Sequence, residues 1–162
     1  MERWRHISRP WQKGFTLIEL VIVLAIMAIL SGTTLATARG IQRRTLNNTS
    51  LSIQADLRRA QRLALIEGRR WRVNFDIENN RYFMHPMPRN FGDHVYTVYL
   101  PRGVEIDHIT APQSRTFLEY LPRGTASSGF GIHLRNGPYL QRLTATVSAG
   151  RIAIFDIERL LD

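Results

Sequence analysis

The 162-residue chain contains no cysteine, which excludes a disulfide framework and thiolate metal sites but leaves export open. It is poor in lysine: Lys13 alone among 22 basic residues, the rest being arginine. It lacks proline from Trp11 to His85, so nothing there forbids a long helix. It also lacks the local patterns of common enzymes. No His-Glu-x-x-His pair links His6, His85, His94, His108 or His133. Ser114, Ser127, Ser128 and Ser148 have no Gly-x-Ser-x-Gly setting, and there is no phosphate loop ending in Gly-Lys. Gly129-Phe130-Gly131 is a glycine pair without the dinucleotide fingerprint, read as backbone freedom at a strand start. His85 and His94 flank a Pro-rich loop with Asp93, a weak metal pattern that loop histidines usually form without a metal. Nothing here asks for a cofactor or a metal, and the chain is read as a non-enzyme. Its length suits one domain, without repeats or low-complexity tracts.

What is present is concentrated at the amino terminus. Residues 1–14 are short and polar, with Arg3, Arg5, Arg9 and Lys13 against Glu2 giving +3. Residues 15–38 are apolar, with Glu19 as their only charge, and Leu20 to Leu30 is unbroken. About 20 residues span a bilayer as a helix, so this segment has the length of a single-pass anchor with its basic side in the cytoplasm. Arg39, Arg43 and Arg44 on the far side weaken that charge asymmetry. Three readings compete. One is a secretory signal cut after Ala38, at Ala36-Thr37-Ala38, against which Glu19 argues. One is a plain anchor that tolerates Glu19 at a cost of ~1–3 kcal/mol. The third gives Glu19 a task.

Beyond Ala38 apolar residues recur at Leu46, Ile53, Leu57, Ala60 and Ala64, one face of an amphipathic helix. Glu67-Gly68 is a helix stop. A helix from Phe15 to Glu67 would be roughly 80 Å long, with Gly32, Gly40 and Asn47-Asn48-Thr49-Ser50 as places to bend or melt. The period then becomes two: Trp71, Val73, Phe75 and Ile77 alternate with polar residues, Glu78-Asn79-Asn80 turns, and Arg81–His85 returns. Further strands are expected at Val95–Leu100, Val104–Ile106, Thr116–Leu121, Gly131–Leu134, Leu143–Val147 and Arg151–Asp156, with Pro86, Pro88 and several Pro/Gly turns as breakers. Connections this short make the strands mostly antiparallel. The fold class is α+β: a helix in an apolar half (15–38) and an amphipathic half (39–67), packed on a β-sheet head (68–162).

Lys13-Gly14-Phe15-Thr16-Leu17-Ile18-Glu19, running directly into the apolar segment, resembles the processing site of type IV prepilins and type II secretion prepseudopilins. The resemblance implies cleavage between Gly14 and Phe15 by a prepilin peptidase, N-methylation of Phe15, and assembly with other pilin or pseudopilin subunits. A carboxylate buried in lipid or a filament core is costly unless paired. Glu19 of one subunit would pair with the new Phe15 amine of its neighbour, making Glu19 an assembly residue. The head is similar to the H-type minor pseudopilins and FimT-like minor pilins, the GspH/FimT family, through Arg62-Leu63-Ala64-Leu65-Ile66-Glu67-Gly68, Leu100-Pro101-Arg102-Gly103-Val104, Leu121-Pro122-Arg123-Gly124 and Ala149-Gly150-Arg151-Ile152. That implies a minor subunit of a secretion pseudopilus or type IV pilus near the filament tip. It would be inserted in the inner membrane with its head outside the cytoplasm, then held in a periplasmic or extracellular filament. The +9 of the chain less the +3 of the leader leaves a basic mature protein. Arg135, Arg142 and Arg151 with Tyr139 form a candidate nucleic-acid surface, the alternative being a DNA-binding minor pilin. A solvated basic face, or contacts to acidic subunits, explains the same arginines.

Overall fold

A computed structural model describes residues 16–147 and 150–160, of which residues 30–39 are described by backbone alone. The chain divides into two compact units, Met1–Ala38 and Arg39–Asp162. Helix α1 is assigned from Leu17 to Glu67. Neither Gly40 nor the Asn47–Ser50 stretch interrupts it; Thr49 and Ser50 are buried, so in that stretch tertiary packing outweighs propensity. Leu46, Ile53, Leu57, Ala60 and Ala64 are all buried, so the amphipathic stripe is the core face. The stripe's skip between Leu46 and Ile53 is filled by Ser50, which is fully buried and donates to Gln141 Oε1 at 2.7 Å. Gly68 follows the helix at φ +61°, the left-handed stop that glycine adopts without a Cβ penalty.

Two antiparallel sheets follow. The first has the order β3-β2-β1-β5, from β1 (Arg70–Asp76), β2 (Arg81–Met87), β3 (Tyr96–Tyr99) and β5 (Phe117–Tyr120). The second runs β4-β6-β7-β8, from β4 (Glu105–Thr110), β6 (Phe130–Asn136), β7 (Tyr139–Ala145) and β8 (Ile152–Ile154), with β9 (Glu158–Arg159) also pairing with β7. Alternation puts Trp71, Val73 and Phe75 of β1 inside with Tyr82 and Met84 of β2. Ile132, Leu134 and Leu143 do the same from the second sheet. Phe75 stacks on Phe130 at 5.3 Å between centroids, joining the sheets. The helix is held to both: Tyr82 donates to Asp56 at 2.6 Å, Gln54 to the Ile152 carbonyl at 3.2 Å, and Gln61 to the Gly124 carbonyl at 2.7 Å.

Four expectations need correction. Ile77 leaves the alternating series; it sits in the turn and is 41% exposed. Pro86 lies inside β2 and not at its end; β3 pairs only with residues 81–84, so beyond it β2 has an open edge where proline forfeits no ladder bond. Strand β7 begins four residues earlier than the expected Leu143, at Tyr139, and ends at Ala145 before Val147. Its first half hid because Gln141, a polar side chain, points inward to bond Ser50. Strand β4 continues past Ile106 to Thr110 across a bulge between Ile106 and His108.

Candidate functional site: an exposed apolar helix and a basic sheet face

Thr16 caps α1. Its Oγ1 accepts from the Glu19 N–H at 3.3 Å, and its carbonyl accepts from the Leu20 N–H at 3.2 Å. Thr16 and Glu19 thus have the Thr-x-x-Glu spacing of a capping box, with a carboxylate in the positive first turn. Sequence reasoning missed this, although the spacing was readable. Among the described residues no cation pairs with the Glu19 carboxylate, which is exposed. From Leu17 to Ile29 every side chain is exposed, including ten large apolar ones, with Leu17 at 80% and Ile29 at 70%. Exposed apolar surface this continuous calls for a cover. Among the described residues no helix is long and apolar enough to cross a membrane. Gly14 and Phe15 lie outside the described residues, as does the leader; the side chains of Ala36, Thr37 and Ala38 do too.

The arginines singled out in the carboxy-terminal third fall on the second sheet. Residues alternate across it, so Arg135 of β6 and Arg142 of β7 share the outer face with the cross-strand pair His108–His133. Arg151 lies just before β8 and is exposed. Tyr139 has the opposite parity and packs against the core, so the structure does not bring its ring to the arginines. The aromatic that Arg142 meets is Phe155, 4.2 Å below the guanidinium. Arg135 is held by Asp107 at 3.3 Å and Glu105 at 3.8 Å, so its charge is matched. His108 and His133 stack with centroids 3.7 Å apart, and His108 Nδ1 lies 2.8 Å from Asp107 Oδ2. Partial burial, then His108 and Arg142, push the His133 imidazole below its ordinary value. The face therefore carries carboxylates and a neutral imidazole among its arginines.

The weak metal pattern dissolves. His85 Nε2 lies 3.1 Å from Asn74 Nδ2, and Asp93 is bound by Arg69 at 2.8 Å. Among the described residues no group of three His, Asp or Glu can hold a metal.

The family model of the prokaryotic N-terminal methylation motif matches residues 12–35. No curated protein matches the chain in sequence. Solved structures do match in fold. The minor pseudopilin EpsH from the type 2 secretion system of Vibrio cholerae aligns with a TM-score of 0.54 at 18% identity, over 68% of this chain and 95% of that one. A crystal structure of EpsH aligns at 0.56 and 13% identity, over 70% and 97%. The type IV minor pilin FimU of Pseudomonas aeruginosa aligns at 0.55 and 12% identity, over 70% and 90%. The chain has a pilin-like fold. At these identities the structural likeness is one of fold. Along α1, residues 17–29 are bare while the later stripe is buried.

Proposed function

We propose that the protein is a minor subunit of a type IV pilus-like filament, a pseudopilus of a secretion system or a surface pilus, and not an enzyme. One observation carries the reading: a methylation motif runs straight onto a helix whose described apolar side chains, Leu17 to Ile29, are all bare. In this reading a prepilin peptidase cuts between Gly14 and Phe15, Phe15 is methylated, and the apolar half of α1 leaves the inner membrane for a core built by neighbouring subunits. Glu19 pairs there with a neighbour's Phe15 amine, so lateral assembly satisfies two charges at once. The head, with the fold of EpsH and FimU, then faces other minor subunits near the tip. A cut after Ala38 is disfavoured, since it falls within α1. Mass spectrometry of the membrane-extracted protein tests the reading. A mature chain beginning with methylated Phe15 is expected; one beginning at Arg39 refutes it.

A second reading, DNA binding during uptake, draws on Arg142 over the 41%-exposed Phe155 together with exposed Arg151. A cation beside an aromatic face suits a phosphate and a stacked base. The carboxylates around Arg135 oppose it.

A further inference from the structure

The residue least at home in this fold is Phe91. Its side chain is fully exposed, at 109% of the reference area, whereas Phe75 and Phe130 are core residues. It sits at the tip of the loop between β2 and β3, and the base of that loop is tied unusually well. Arg69 Nη1 and Nη2 donate to the two Asp93 carboxylate oxygens at 3.2 and 2.8 Å, and Nη2 also donates to the Pro88 carbonyl at 2.7 Å. The Asn90 N–H donates to Asp93 Oδ2 at 2.7 Å, and the Asp93 N–H closes the turn on the Asn90 carbonyl at 3.2 Å. Gly92 takes φ +92°, the positive angle needed after Phe91 for the ring to stand at the apex. The Arg69 guanidinium, followed by the Asn90 N–H, lowers the Asp93 carboxyl to about 2, so the clip is closed at any physiological pH. A free loop has no need of five bonds to hold one aromatic in water. A docking loop does, because a pre-ordered anchor loses less freedom on binding.

We propose that the Phe91 loop is a docking anchor, whose ring enters an apolar pocket rimmed by carboxylates on another subunit of the filament. This rests on the function proposed above. The acidic rim follows from charge: exposed Arg70 and Arg89 flank the clip, and among the described residues neither has an ion-pair partner. Beside the loop base lies an open hollow of about 570 Å³ lined by Arg69, Arg70, Arg72, Pro88 and Glu119, in which Arg69 and Arg72 are already matched by Asp93 and Glu119. Arg70 is left to meet a partner's carboxylate. A buried aromatic with arginine at the rim is the usual composition of a binding hot spot.

The test is photo-crosslinking in producing cells with the full chain carrying Phe91→p-benzoylphenylalanine, and Asn79→p-benzoylphenylalanine as an exposed control. Position 91 should give one discrete adduct with a second protein that bears the N-terminal methylation motif; position 79 should not. Arg69→Ala, which frees the loop but keeps position 91 intact, should lower the adduct yield roughly ten-fold or more, and Arg89→Glu should lower it as well. Adducts with lipid alone, no adduct, or equal adducts from both positions would overturn the proposal. The amino-terminal mass of the same sample separates the two readings: a methylated Phe15 end without the adduct sinks the docking loop and leaves the filament reading standing.

Discussion

Ser50 and Gln141 offer the most direct check on how α1 is held to the second sheet. Ser50 has no exposed surface and Gln141 is 3% exposed, so their 2.7 Å bond is made out of water. Gln141 Nε2 also donates to the Phe155 carbonyl at 3.2 Å and to Asn47 Oδ1 at 3.4 Å. Ser50→Ala removes a small donor and leaves Gln141 Oε1 buried without one, at a cost of about 1–3 kcal/mol. Gln141→Met keeps the volume but strands the Ser50 hydroxyl and the Phe155 carbonyl. The hydroxyl can fall back on its own helix, so this change also costs about 1–3 kcal/mol. Once one partner is gone the other has nothing to lose, so the double variant should cost less than the sum by about 1 kcal/mol. Urea unfolding of residues 39–162 reads this out, with buried Trp71 as the only tryptophan in that fragment. Each kcal/mol should also lower Tm by about 4 °C. Costs that add within ~0.3 kcal/mol would refute the reasoning, because two groups that share a bond cannot be independent.

Glu19→Ala should leave insertion and cleavage intact while lowering recovery in the sheared filament fraction; normal recovery removes its assembly role. Because the folded His133 imidazole is depressed below 6.5, the unfolded chain binds the extra proton first, so stability is full above that pH and falls as pH drops below it. His133→Asn should flatten this acid slope in urea titrations between neutral pH and about pH 5, and an unchanged slope would contradict the assignment. If the second sheet binds DNA, binding by residues 39–162 should weaken steeply with salt, and Arg142→Ala or Arg151→Ala should matter more than Arg135→Ala, which is already paired. No binding at low salt retires that reading.

The sequence was most legible where one physical rule acts alone. The stripe Leu46–Ala64 obeys a period of 3.6 and is buried throughout, and Trp71-Val73-Phe75 obeys a period of two and is inside. It was least legible where a side chain serves a distant partner. Ser50 reads as a helix-weakening serine, and Gln141 falls outside every expected strand, until each is seen as the other's partner across 91 positions. Tyr139 failed as a stacking residue for a related reason: strand parity places it toward the core, and parity depends on where β7 begins. Phe155, which does meet Arg142, is brought there by β8, a strand of three residues whose pairing with β7 no local pattern announces. The division of the head into two sheets was likewise invisible, since turn signals mark where strands end and not which strands pair.

Glu19 shows why position matters as much as residue type. In the single chain the Thr16 hydroxyl already receives the Glu19 N–H, and a carboxylate in the first turn is favoured by the helix dipole. A local account therefore exists: a capping residue worth about 1 kcal/mol. That account rests on the Thr16 hydroxyl and the Glu19 backbone N–H, which glutamine leaves in place, with only the smaller dipole contribution lost. The assembly account requires a negative charge to meet a cationic amine. Glu19→Gln keeps the first and abolishes the second, whereas Thr16→Ala does the reverse. Filament recovery that tracks Glu19→Gln and ignores Thr16→Ala assigns the carboxylate to the neighbour. The opposite pattern assigns it to its own helix, and leaves the bare surface of Leu17 to Ile29 as the sole force drawing subunits together.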